Sequence, residues 1–177
     1  MNTTVADSAL GKIQREELDL SYVEEWLASG MRAFALLDAC DEPLIPPKVH
    51  ELGVRAMSLY QGAAEKRYAH IAPYVAEIDL ELVEWIVDTL AGTPWGYLLL
   101  TGDDCSLISI RRHLRKFLLV TLPDGQEVFF RFYDPRLISP FIDAATESNL
   151  KEFFGPVNKI AIVDAGSKKL NLLQRCG

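Results

Sequence analysis

A chain of 177 residues with 49% hydrophobic and 24% charged side chains suffices for one domain with a real core. Eighteen basic against 25 acidic residues leave a net charge of −7, which argues against a nucleic-acid backbone as the main partner, since such affinity rests on clustered Lys and Arg. Cys40, Cys105 and Cys176 are far apart and form no CxxC pair, which speaks against a disulfide framework or a thiol–zinc knuckle.

The first ~12 residues are polar and are expected to fray as a flexible terminus. They carry neither the basic nor the apolar region of a secretory signal. Apolar runs such as residues 97–100 are too short to span a bilayer. Three free thiols suit a reducing compartment, so the expected location is the cytoplasm.

Residues 16–29 read as a helix, with Leu18, Tyr22, Trp26 and Leu27 near helical spacing and Gly30 as a stop. The nearly continuous apolar run 32–37 predicts a strand covered on both faces. Pro43, Pro46 and Pro47 make the next connection irregular before a short helix ending near Gly53. Residues 55–60 predict a second strand, 62–70 a helical turn, and the alternating 74–78 a third strand. Asp79 is placed to cap a helix carrying Leu82, Val83, Ile86, Val87 and Leu90, stopped at Gly92.

Residues 95–101 predict another buried strand. Asp104 is expected to cap a helix with the stripe Leu107, Ile110, Leu114, Phe117 and Leu118. A hairpin follows: 119–122, the turn Pro123-Asp124-Gly125, and a strand over 127–133. Asp134-Pro135 opens a helix, and Thr146 caps another that ends at Gly155-Pro156. Residues 157–164 and 168–173 form a final hairpin around Ala165-Gly166-Ser167. The sum predicts a single α/β domain over residues 1–177, a mixed β-sheet flanked by helices.

No phosphate-cradling glycine loop and no GxSxG elbow is present. His50, His70 and His113 have no metal-ligand spacing. Arg111, Arg112 and Arg115, with Lys116, make one basic cluster. It reads as the solvated face of an amphipathic helix, or functionally as an anion or nucleic-acid patch or a dock for an acidic partner. Asp38 and Asp134 both follow predicted strands; were those strands parallel, their ends would border one crevice and the carboxylates would form an acid/base pair. The simpler reading has Asp134 capping its helix and Asp38 capping a turn or pairing with an arginine.

On a strand over 127–133, Phe129, Arg131 and Tyr133 face one way and Val128, Phe130 and Phe132 the other. Arg131 would then sit among apolar neighbours and need a carboxylate or an aromatic face. Alternatively Arg131 or Arg136 binds a partner's acidic or C-terminal group, with Tyr133 counted among the partner-binding candidates.

The pieces LLDA (36–39), SLY (58–60), APYVAEI (72–78), WG (95–96), RRHLRKFL (111–118), FRFYDPR (130–136) and FFGPV (153–157) occur in this order. Over residues 34–163 the chain thereby resembles the DUF4123 family of bacterial type VI secretion adaptors. The resemblance implies a chaperone that binds a toxic effector and loads it onto a VgrG-type spike, with no catalysis and no cofactor. It makes Asp38, Tyr60, Trp95, Asp134 and Pro135 chiefly fold-defining positions. Many members of that family continue into a further C-terminal region. The alternatives are a small hydrolase using Asp38, Asp134 and a histidine, and a nucleic-acid module using the 111–116 face.

Overall fold

Alternation in the run at residues 32–38 builds the centre of the molecule. Phe34 and Leu36 point into one apolar layer; Ala33, Ala35 and Leu37 point into the other. The computed structural model describes residues 12–164 and 167–176. Its elements are β1 (Ile13–Asp19), α1 (Ser21–Ala28), β2 (Arg32–Asp38), α2 (Ile45–Glu51), β3 (Ala56–Ser58), α3 (Ala63–Arg67), β4 (Pro73–Glu77), α4 (Leu80–Thr89), β5 (Gly96–Thr101), α5 (Leu107–Leu114), β6 (Leu119–Thr121), β7 (Glu127–Phe129), α6 (Pro135–Ala144), α7 (Glu147–Phe154), β8 (Val157–Asp164) and β9 (Lys169–Arg175).

Seven strands form one sheet in the order β1-β9-β8-β5-β2-β4-β3, and β6-β7 stand apart as a two-stranded ribbon. The expected α/β domain is observed, but its mixture is of helices and strands. Every strand pair among the described residues is antiparallel, so the crevice between parallel strand ends does not form.

Helices α5, α6 and α7 cover the face carrying Phe34, Leu36, Tyr97, Leu99 and Ile160. Helices α1, α2 and α4 cover the face carrying Ala35, Leu37, Leu98 and Leu172. Two covered faces explain why residues 33–37 of β2 and 96–100 of β5 are apolar without interruption. Each fully buried Leu or Phe contributes roughly 1.5–3 kcal/mol of transfer free energy.

Most helix starts follow the local signals. Asp79 accepts from the Leu82 N–H at 2.8 Å, Asp134 from Arg136 at 2.8 Å and Thr146 from Asn149 at 3.2 Å. Helix α5 departs from expectation: Ser106, not Asp104, is its cap, in a reciprocal box with Ser109.

Two segments depart from their sequence pattern. Residues 16–29 are not one helix: the first part is β1, paired along its whole length with β9. The ladder and cross-strand contacts such as Glu17–Lys169 at 2.9 Å override helical spacing. Nor does a strand run over 127–133. Pairing stops at Phe129, the Phe130 N–H still reaches the Leu118 carbonyl, and the Asp134 N–H closes a turn onto the Arg131 carbonyl. The flexible-terminus expectation and the turn at Ala165-Gly166 lie outside the described residues. Cys40, Cys105 and Cys176 are free thiols.

The end of α7 rests on a histidine. His113 Nε2 bonds the Phe153 carbonyl at 2.7 Å, so this nitrogen carries the proton. Gly155 has φ +47°, and a Cβ there would meet the imidazole at 2.3 Å. Burial pushes the His113 pKa down, partly opposed by the Phe153 bond; Lys116 adds to the lowering and Glu152 opposes it. The folded pKa therefore lies below the ordinary 6.5. As pH falls through 6.5 the unfolded chain protonates first, and stability drops until the folded pKa is passed. Urea unfolding is expected to lose up to about 1.4 kcal/mol per pH unit in that window, with the slope reduced in His113→Gln. Equal slopes in both proteins would contradict this account.

Candidate functional site

Asp38 ends β2 on the Phe34–Leu36 face, fully buried. Its Oδ1 accepts from the Cys40 N–H at 3.0 Å, an Asx turn that brings Asp41 back beside it. From the turn after the ribbon, Arg131 Nη2 donates to Asp38 Oδ2 at 2.6 Å and to Asp41 Oδ2 at 3.1 Å. Arg136, in the first turn of α6, donates to both oxygens of Asp134 at 2.6–3.1 Å and to Asp41 at 3.1 Å. Three carboxylates and two guanidinium groups thus form one chain of ion pairs.

The two aspartates singled out in the sequence do converge, although by a turn rather than at parallel strand ends. Asp41, which no sequence motif marks, completes the set. Its only local signal was the short spacing in DACD, which matters only once Asp38 turns the chain.

The expected needs of Arg131 are met on both counts. Besides its carboxylates, its guanidinium lies 5.9 Å from the Tyr133 ring centroid. The Tyr97 hydroxyl, buried in the same layer, donates to the Phe132 carbonyl at 2.7 Å and pins the turn. Around it the rings of Phe117, Phe130, Phe132, Phe141 and Phe153 meet edge-on or tilted at 5.0–6.2 Å. Trp95 is buried in the opposite layer, and its carbonyl accepts from the Asp38 N–H at 2.7 Å. Pro135 occupies the first position of α6.

The electrostatics separate the two pairs. Burial raises the Asp38 pKa, although Arg131 and the Cys40 N–H pull it down. Asp134 moves the other way: burial would raise it, but the Arg136 bonds and charge hold it below the ordinary carboxylate value. The Tyr133 phenol is pushed up by burial, with Tyr60 and Asp38 adding to the effect. Oxygens of Asp38, Asp41 and Asp134 lie within 4.8 Å of one another. A cation there would compete with two guanidinium groups already in place.

The basic cluster lies elsewhere, and its expected solvated face is only partly so. Arg111 donates to the Ser58 carbonyl at 2.7 Å and the Tyr60 carbonyl at 3.0 Å, and Arg115 to Leu59 at 2.9 Å. Arg112 and Lys116 are exposed. Tyr60 in turn meets the Phe129 ring edge-on at 6.5 Å, which ties the ribbon to α5. Phe129, expected inside a covered strand, is instead 67% exposed.

Among family profiles, one described as a domain of unknown function, DUF4123, matches residues 33–152, about two thirds of the chain. No curated protein and no solved structure matches.

Proposed function

The chain belongs to the DUF4123 family, and from that premise we propose that it is a non-catalytic adaptor of a type VI secretion system. In this reading it holds a toxic effector in the cytoplasm and presents it to a VgrG-type spike. The observation that carries the proposal is the β6-β7 ribbon. It stands outside the main sheet and exposes Leu119, Leu122 and Phe129. An isolated two-stranded ribbon is marginal in water, and grouped exposed apolar residues favour a protein contact.

The ion-pair chain supports a scaffold role for the charged residues beside it. Arg131 and Arg136 hold the turn between ribbon and α6, and Asp134 is spent on capping. A hydrolytic use of Asp38 and Asp134 would have to free both carboxylates from guanidinium partners, while His113 is engaged with Phe153.

Co-expression with the toxin and spike proteins encoded beside this gene tests the proposal. A stoichiometric complex with the toxin that survives size exclusion is expected. If the purified chain binds neither product, the adaptor reading is wrong.

A further inference from the structure

Helix α5 continues through the turn at Arg115–Phe117 before β6 begins, and its outward side has an ordered composition. Ile108, 57% exposed, lies on that side, and Leu119, 48% exposed, opens β6 beyond the helix end. At helical spacing, Arg111 and Arg115 lie to one side of Ile108, and Arg112 and Lys116 to the other. Residues 107–118 contain no acidic side chain.

Among the described residues none of the four cations makes an ion pair. Arg111 and Arg115 bond only neutral carbonyls. On a chain of net charge −7, this is a local surface of uncompensated positive charge around an apolar centre. Through Tyr60 and Phe129 it is continuous with the exposed ribbon.

We propose that this face docks an acidic amphipathic segment of the protein partner. Carboxylates of that segment lie against Arg112 and Lys116, and its apolar side chains cover Ile108 and Leu119. The assignment rests on the adaptor reading and adds the partner's chemistry to it. A polyanion such as nucleic acid matches less well, because it would leave the apolar centre uncovered. An acidic protein segment satisfies both parts, with steering that weakens in salt.

Calorimetric titration of the purified chain with the toxin encoded beside it, at 50 and 300 mM NaCl, tests the docking face. Among the described residues Arg112 and Lys116 make no hydrogen bond or ion pair, so R112E/K116E is expected to fold normally, as circular dichroism would verify. The variant is expected to bind about tenfold or more weakly and to lose most of the salt dependence; the uncharged Ile108→Ser is expected to weaken binding without altering that dependence. K66E/R67E, on α3, serves as the control and retains affinity. If R112E/K116E binds as tightly as the native chain, the docking face is wrong and the adaptor reading stands. Absence of any complex with the native chain removes both. Binding of a 24-base-pair DNA duplex or of anionic phosphatidylserine vesicles, lost in R112E/K116E while toxin binding persists, would overturn the proposal in favour of a polyanion.

Discussion

Gly96→Ala is expected to cost more than about 4 kcal/mol, enough to leave little folded protein. Gly96 opens β5 opposite Leu37 of β2, with φ +131°. A Cβ built there would lie 1.8 Å from the Leu36 carbonyl oxygen and 2.9 Å from its carbon. Both atoms are backbone in the middle of the sheet, so relief requires parting β2 from β5. The Trp95 carbonyl bond to the Asp38 N–H would be drawn into the same distortion. Gly53→Ala supplies the comparison, because that glycine also has positive φ (+65°) but open space around it. Its cost is expected to be about 1–2 kcal/mol, the backbone penalty alone. Chemical denaturation of both variants measures the difference. Should Gly96→Ala unfold within about 1 kcal/mol of Gly53→Ala, the close approach to Leu36 is not what requires glycine.

The contrast between β2 and β1 explains what the sequence made legible. β2 announces itself because both of its faces are apolar, and the caps at Asp79, Asp134 and Thr146 act on N–H groups two or three residues away. Such signals are local and survive in one dimension. β1 is different: its Leu18 falls into helical register with Tyr22 and Trp26, and only β9, over 150 residues later, makes the segment a strand.

The same division runs through the candidate site. Arg131's need for a carboxylate and Asp38's suitability for an arginine were each legible; their meeting was not, since 93 residues separate them. Asp41 was invisible because its role depends on the Asx turn of its neighbour. Arg111 and Arg115 looked like solvent-facing charge because backbone carbonyls of the 58–60 segment leave no mark in a sequence.

The pairing of Arg131 with Asp38 sets the second large expectation, in which removing the arginine is worse than removing the aspartate. Arg131→Met leaves the fully buried Asp38 carboxylate without a cation and is expected to cost about 2–4 kcal/mol, reduced from the fully buried case because Arg131 is 35% exposed. Asp38→Asn retains an acceptor for the Cys40 N–H and leaves Arg131 its bond to Asp41; about 1–2 kcal/mol is expected. The double variant should cost less than the two losses added, a coupling of about 1–3 kcal/mol measured by a denaturation cycle.

The pH dependence carries opposite signs at the two ends of the ion-pair chain. The folded Asp38 pKa is raised, so its cost is fully present at neutral pH and is relieved as pH falls through that folded value. Asp134, held low, contributes stability above its unfolded value and loses it as pH falls through the folded one. Arg131→Met removes the group that pulls Asp38 down, so the Asp38 contribution should grow and its window move to higher pH. The variant is therefore expected to recover part of its deficit on mild acidification. A deficit that stays constant down to the ordinary carboxylate range would mean that the lost contact is packing rather than charge.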